Sequence, residues 1–315
     1  MECPERGAKL EEFATLQQTR PRRSALYMPG ANARALEKAR SLDADVLLLD
    51  LEDAVAPEAK AEARGNVVAA VQQRAYGRRE VVIRINALST PWGKDDLHAA
   101  ASAVPDAILL PKVSNPEDVH AAAEILRSLN APPTLRLWAM IETPHALFRL
   151  EPIAALHRDP AARLDAFVLG TNDLAKETGA RLVPGRAPMA AWLSLAVAAA
   201  RAHGMIVLDG VHNDIADRPG FELECAQGRD CGMDGKTLIH PDQIAPCNRI
   251  FSPDAAEVAR ARKIVEAFDL PENKGRGAIK LDGRMVELLH ADMARKTLAI
   301  VDAIAAKAQS QVETP

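Results

Sequence analysis

Along the chain, short blocks of aliphatic and β-branched residues alternate with longer Ala-rich stretches whose apolar positions recur three and four apart. The blocks predict strands at 24–28, 45–51, 81–86, 107–112, 135–141, 166–170, 205–209 and 232–239. Helices are predicted between them at 33–41, 58–75, 116–129, 144–157 and 188–203. Asn32, Asn115-Pro116 and Thr143-Pro144 suit helix starts, because a side-chain acceptor or a first-turn proline answers the orphan amides. Val46-Leu47-Leu48-Leu49 and Ile108-Leu109-Leu110 run apolar without a polar alternate, as strands covered on both faces require. Eight strand–helix alternations imply parallel strands, since parallel neighbours need long crossovers. The pattern predicts an α/β fold, a (β/α)8 TIM barrel. A doubly wound open sheet is the alternative, but no GxGxxG turn follows the first strand and no Walker A loop occurs.

Beyond residue 250 the pattern changes. A helix is predicted at 253–270, a Gly- and charge-rich loop at 271–280 and a long final helix at 284–309, with no further strand. The chain thus divides into a leader at 1–20, a barrel at 21–250 and a C-terminal helical lid or oligomerisation segment at 251–315. The last piece is too small to build much core alone, so it is expected to pack on the barrel or on a neighbouring subunit.

Composition narrows the class. Of 315 residues, 48% are hydrophobic and 26% charged, enough for a large core. A formal net charge of −4 gives no basic face for nucleic acid. The longest apolar stretch, near 190–200, is too short to span a bilayer. The first twenty residues mix acidic and basic side chains and resemble no targeting peptide. Cys3, Cys225, Cys231 and Cys247 show no CxxC spacing, so neither a zinc knuckle nor a disulfide scaffold is indicated, and Cys225, Cys231 and Cys247, away from the motif residues, read as ordinary thiols. A cytoplasmic protein without nucleic-acid or membrane partners is expected.

In such a barrel the chemistry belongs at the carboxyl ends of the strands. Those ends carry Asp50-Leu51-Glu52-Asp53, Arg84-Ile85-Asn86, Pro111-Lys112, Glu142-Thr143, Gly170-Thr171-Asn172-Asp173, Asp209, and Lys236 with His240. Each has a bland reading as a helix cap or ion pair; their convergence on one rim favours a site. Glu142 and Asp173 end adjacent strands, about 4.8 Å apart in a sheet, and could share a cation. Two carboxylates without Cys or His alongside suit a hard ion, Mg2+ with Mn2+ as the other choice; the competing reading is a cap at Asp173. Arg84 could fork onto an oxo acid, or pair with Asp50 or Glu52. Lys112 is either a substrate contact or a partner of the strand-two carboxylates. Asp50, Glu52 and Asp53 are too acidic a trio for all to be idle, and one of them is expected to order Arg84 or a metal-bound water; Glu52 and Asp53 are also catalytic candidates. His240 reads as a structural hydrogen-bonder.

The motifs Pro29-Gly30-Ala31-Asn32, Asp50-Leu51-Glu52-Asp53-Ala54-Val55, Arg84-Ile85-Asn86, Leu110-Pro111-Lys112, Ile141-Glu142-Thr143-Pro144, Leu169-Gly170-Thr171-Asn172-Asp173 and Asp234-Gly235-Lys236 occur in one order. In that order the chain resembles the citrate lyase β-subunit-like group of the HpcH/HpaI aldolase superfamily, which includes malyl-CoA and citramalyl-CoA lyases. The resemblance runs from about residue 22 to 306. It implies Mg2+ on Glu142 and Asp173, Arg84 on the substrate, an acyl-CoA thioester partner with a small 2-oxo acid, and a homotrimer or hexamer. The implied reaction is carbon–carbon cleavage of a 3-hydroxyacyl-CoA such as malyl- or citramalyl-CoA.

Backbone amides at Gly170, Thr171 and Asn172 open a helix and could bind the carboxylate end, with Lys112 nearby. For the phosphates of CoA the candidates are Arg22, Arg23, Lys38, Lys60 and Arg64, with Asn32 beside them; each also reads as a solvated surface group. CoA-cleaving relatives carry a lid aspartate as acid/base, and here Glu287 stands in its place within Asp282-Gly283-Arg284-Met285-Val286-Glu287. One extra methylene changes reach by more than about 1 Å, enough to matter where geometry is tight. Two other readings therefore stay open: an aldolase acting on free 4-hydroxy-2-oxo acids without CoA, and a binding protein that has lost catalysis.

Overall fold

The computed structural model describes residues 20–312; most of the predicted leader, with Cys3, lies outside them. The chain divides into two compact units, Arg22–Phe251 and a second that includes everything from Ser252 onward.

The first unit is a closed barrel of eight parallel strands in sequential order. These are β1 (Ser24–Pro29), β2 (Val46–Asp50), β3 (Glu80–Arg84), β4 (Ala107–Leu110), β5 (Arg136–Ile141), β6 (Leu164–Leu169), β7 (Ile206–Asp209) and β8 (Gly235–Leu238), with β1 closing against β8. Outside them run α1 (Ala33–Lys38), α2 (Lys60–Gln72), α3 (Gly93–Ala103), α4 (Pro116–Ser128), α5 (Pro144–Leu147), α6 (Leu150–Ala155), α7 (Thr171–Thr178), α8 (Ala190–Ala202), α9 (Arg218–Asp230) and α10 (Ile244–Ile250). The barrel and every predicted strand are present, with their ends displaced by up to three residues. Helices α3, α9 and α10 were not predicted. The helix expected over 144–157 is broken, and Pro152 explains why: it offers no amide to the carbonyl of Phe148 and its ring crowds that carbonyl. The chain leaves helical geometry at Arg149 (φ −130°, ψ 17°).

Strand periodicity sorts the core into two layers. Ala25, Val46, Leu48, Val82, Leu109, Trp138, Met140, Val168 and Leu208 fill the barrel interior. Their alternates, including Leu47, Leu49, Ile83, Ile108, Phe167 and Val207, pack beneath the helices. This phase decides where each charged strand-end residue points. The amino end is closed by ion pairs: Arg22 Nη2 lies 2.8 Å from Glu80 Oε1 and 3.1 Å from Asp165 Oδ2, and Arg23 Nε lies 2.8 Å from Asp45 Oδ2.

The C-terminal unit holds α11 (Ala255–Asp269), β9 (Ala278–Leu281), β10 (Arg284–Glu287) and α12 (Leu288–Val312). Its core is Ala261, Ile264, Phe268, Ile279, Val286, Ala291 and Ala294. The antiparallel β9–β10 hairpin corrects the expectation of a loop running into a helix from 284. Asp282 (φ 50°) and Gly283 (φ 78°) both adopt the left-handed conformation that a two-residue type I′ turn needs. Glu287 ends β10, with its amide donating to His290 Nδ1 at 3.0 Å. Among the described residues, no helix is long and apolar enough to cross a membrane.

Candidate active site

Asp50, Arg84 and Glu142 share the phase of the barrel interior: Asp50 follows Leu48, Arg84 follows Val82, and Glu142 follows Met140. All three therefore rise from the inner wall into the mouth, where burial forces them to find partners. Arg84 Nε and Nη2 donate to Asp50 Oδ1 and Oδ2 at 2.7 and 2.6 Å. Its Nη1 lies 3.1 Å from Asp53 Oδ2 and 3.0 Å from Glu52 Oε2. The guanidinium stacks 4.7 Å over the Tyr27 ring. Asp50 is fixed in turn by the amides of Glu52 and Ala54. Arg84's fork thus grips Asp50 rather than standing free for an oxo acid, and its Nη1 edge is held by Glu52 and Asp53. Burial opposes the guanidinium's charge, yet Tyr27, Asp50 and Glu52 hold its pKa above the usual arginine value.

Lys112 sits in the left-handed conformation (φ 55°) just past β4. Its backbone amide donates to Glu142 Oε1 at 2.7 Å. Its ammonium lies 3.0 Å from Glu52 Oε1, 3.9 Å from Glu142 Oε1 and 4.0 Å from Asp173 Oδ2. Burial works against this ammonium, but the three carboxylates raise its pKa. The structure thus brings Glu52, Asp53, Arg84, Lys112, Glu142 and Asp173 together at one end of the barrel.

Glu142 is fully buried, and its Oε2 has no hydrogen-bond partner among the described residues. Burial and the neighbouring Glu52 charge push its carboxyl up to about 8, with Lys112 partly opposing them. Room for this side chain comes from Gly170, where a Cβ would lie 2.4 Å from Glu142 Cβ and 2.6 Å from its Oε2. Gly170 begins α7 without a side-chain cap, and Asp173 lies in that helix's first turn. Thr171 is buried, whereas Asn172 is exposed and exchanges amide hydrogen bonds with Asn213 at 3.0 and 2.8 Å.

Mg2+ fits these residues. A buried carboxylate oxygen lacks a partner, a second carboxylate stands at the neighbouring strand's end, and an ammonium already lies within 4.0 Å of both side chains. No group of three or more His, Cys, Asp or Glu side chains with metal-holding geometry occurs among the described residues. An ion here would rest on two carboxylates and take its other ligands from water and substrate, a habit of Mg2+.

Several expected residues lie elsewhere. Arg22 and Arg23 precede β1 and lock the amino end of the barrel, opposite the mouth, so neither reaches a ligand bound there. Lys60 is buried and donates to the carbonyls of Leu51 and Glu52 at 2.8 and 2.7 Å, supporting the strand-two loop. Arg64 pairs with the buried Asp96 at 2.7 Å. Lys38 is exposed in the last turn of α1, and Asn32 caps that helix by accepting from the Ala35 amide. Asp209 and Lys236 take the outward phase of Val207 and Leu238 and bind each other beneath α9. His240 caps the turn after β8, accepting from the Asp242 amide. Sequence reasoning missed Tyr27, although two residues from Ala25 place it in the mouth, and Asn213.

Residues 23–241 match the profile of the HpcH/HpaI aldolase/citrate lyase family. The chain is 47% identical over 289 residues to a (3S)-malyl-CoA thioesterase from Cereibacter sphaeroides, covering 92% of this chain and 98% of the relative. An L-malyl-CoA/beta-methylmalyl-CoA lyase from the same species is 35% identical, covering 85% and 91%. Among solved structures, protein CitE from Mycobacterium tuberculosis in complex with magnesium, acetoacetate and coenzyme A superposes with a TM-score of 0.70. It is 29% identical, covering 89% of this chain and 97% of that one. Likeness of this extent to thioesterases and lyases makes the chain an enzyme. With a match running from the start of β1 past the end of β8, the chain belongs to the HpcH/HpaI aldolase/citrate lyase family.

Proposed function

We propose that this enzyme acts on the CoA thioester of a short 3-hydroxy dicarboxylic acid of the malyl-CoA type, with Mg2+ held by Glu142 and Asp173, and hydrolyses the thioester bond. The observation that carries the reading is the 47% identity to malyl-CoA thioesterases along nearly the full length of both chains. The mouth supports it. Glu142 Oε2 is buried without a partner, as a ligand to a hard cation would be. Arg84 and Lys112 are the cations among these carboxylates, and either would offset a substrate carboxylate. The first amides of α7, uncapped by any side chain, add donors for the same end of the acid. When bound, the ion supplies a Lewis acid that polarises the substrate oxygen it holds. Hydrolysis adds water across the C–S bond, giving the free hydroxy acid and CoA thiol. Exposed Lys38 remains the candidate for the CoA phosphates, and a homo-oligomer remains the expected assembly.

Carbon–carbon cleavage of the same thioester, expected from the sequence, is the second reading. It is favoured by the 35% identity to a malyl-CoA/beta-methylmalyl-CoA lyase, and it needs the same carboxylates and cations at the mouth. One incubation separates the two. With malyl-CoA and Mg2+, hydrolysis releases thiol and malate without glyoxylate; cleavage releases glyoxylate and acetyl-CoA without thiol. Turnover that survives both EDTA and Glu142→Ala would remove the metal from either reading.

A further inference from the structure

The mouth holds more negative than positive charge. Asp50, Glu52, Asp53, Glu142 and Asp173 face Arg84 and Lys112, and Arg84 is engaged by Asp50, Glu52 and Asp53. That leaves Lys112 as the one described cation within 4.0 Å of Glu142 and Asp173. Its contacts are unequal. The ammonium makes a hydrogen bond to Glu52 Oε1 at 3.0 Å but stands 3.9 and 4.0 Å from Glu142 and Asp173, attracted by both and bonded to neither. Its backbone amide holds Glu142 Oε1 and leaves Oε2 open. The side chain is 40% exposed, so it can swing toward solvent at little packing cost.

We propose that Lys112 is a built-in placeholder cation: its ammonium, hydrogen-bonded to Glu52, faces Glu142 and Asp173 in place of a divalent ion until one arrives, and loading drives it away from those two side chains toward solvent. The inference rests on the reading that Glu142 and Asp173 hold the ion. A divalent cation and an ammonium within 4 Å of the same two carboxylates repel each other, so the two compete for one charge. The competition has a direction. Lys112 weakens the affinity of the ligand-free enzyme for Mg2+, and in exchange offsets the negative charge of Glu52 and Asp173 beside it. Displaced toward solvent, the ammonium stands at the mouth beside the loaded ion as a donor for substrate. The left-handed backbone at Lys112 serves the same device, because it lets one residue present its amide and its ammonium to the same carboxylate.

Titration calorimetry with MgCl2 on EDTA-treated full-length protein tests the proposal. Lys112→Gln should bind Mg2+ about tenfold more tightly than wild type, the size of one half-exposed charge at this range. It should also melt lower in EDTA and gain more than wild type on adding Mg2+. Lys112→Arg, which keeps a cation, should not tighten binding. If Lys112→Gln fails to fold, reductive methylation of the wild-type protein reads the same event: labelling of Lys112, followed by peptide mass spectrometry, should rise when Mg2+ is added. An affinity in Lys112→Gln equal to or weaker than wild type, or labelling indifferent to Mg2+, overturns the placeholder. The underlying metal reading fails separately, if wild type binds no Mg2+ or if Glu142→Gln binds it as well as wild type does.

Discussion

Two clusters of charge lie at the same end of the barrel, and they differ in almost everything except burial. Beneath α9, Lys236 Nζ lies 3.0 Å from Asp209 Oδ2 and 3.1 Å from Glu224 Oε2, and Arg186 Nη1 lies 2.7 Å from Asp209 Oδ1. The Gly210 amide also donates to that carboxylate. Burial works against the Asp209 charge, yet Lys236 and Arg186 outweigh it and hold the carboxyl below the usual range. In the mouth, Glu142 is as deeply buried, but one of its oxygens has no partner and its carboxyl is pushed up to about 8. The cause is a single step in strand phase. Asp209 follows the outward Val207, whereas Glu142 follows the inward Met140. Outward charges meet helices that can be furnished with counter-charges; inward ones meet a mouth that must stay open. A buried charge closed on its neighbours is architecture, and one left open is a place for something to bind.

The largest effect should come from breaking the closed cluster. Lys236→Ala leaves Asp209 with one cation instead of two in a fully buried setting. Removing a partner from such a pair costs about 3–5 kcal/mol, read by urea unfolding. The protein that remains folded should bind Mg2+ as wild type does. A mild loss of stability with a large loss of Mg2+ affinity would mean that the two clusters are not separate.

The open cluster should respond with the opposite sign. Glu142→Gln removes a charge that burial disfavours, so the EDTA-treated variant should be at least as stable as wild type at pH 8. Mg2+-dependent turnover should fall by more than about 100-fold, as expected when a catalytic metal loses one of two protein ligands. The pH dependence follows. Folded Glu142 keeps its proton to about 8, whereas an unfolded glutamate loses it near the ordinary 4.5. Between those values the folded state binds more protons, so this contribution to stability is full below about 4.5 and is lost as pH rises toward 8. In EDTA, wild type should therefore lose melting temperature over that window relative to Glu142→Gln. Parallel curves for the two proteins would remove the open-carboxylate interpretation.

The same phase argument explains what could be read from the sequence. Eight apolar blocks spaced by helical stretches made the barrel legible, because burial on both faces leaves an unbroken hydrophobic signature. The mouth residues were legible for the converse reason: Arg84, Lys112, Glu142 and Asp173 interrupt that signature at its carboxyl ends. Asp209 and Lys236 interrupt it too, and only counting alternate positions back to Val207 and Leu238 separates them from the site. Arg22 and Arg23 were misplaced because a charge beside a strand looks the same at either end. The β9–β10 hairpin had its signal in Asp282-Gly283, overshadowed by the helical residues that follow. Arg84's grip on Asp50 depends on side-chain reach across two strands, which spacing along the chain does not encode.

A smaller effect is expected from Gly170→Ala. Its Cβ would fall 2.4 Å from Glu142 Cβ and 2.6 Å from Oε2, so the carboxylate must move. Overpacking of this kind costs about 1–3 kcal/mol. The displaced oxygen should weaken Mg2+ binding about tenfold, because a metal ligand off position loses much of its bond. Calorimetry on the folded variant measures that loss. Unchanged affinity would show that Oε2 is not the oxygen that meets the ion.

The smallest effect probes a place where the two clusters approach each other through the backbone. Asp209 holds the Gly210 amide, and Gly210 packs so closely on Thr171 that a Cβ there would lie 2.6 Å from its Oγ1. Three residues later Asn213 joins Asn172, the neighbour of Asp173, by a reciprocal pair of amide hydrogen bonds. The pair is exposed, so each bond competes with water and is worth no more than about 1 kcal/mol. Asn213→Ala should accordingly cost less than that in unfolding free energy and shift Mg2+ affinity by under about threefold. If it instead weakens Mg2+ binding tenfold while stability holds, the loop after β7 carries order from the closed cluster into the open one. The contrast between architecture and site would then become a division of labour along one continuous network.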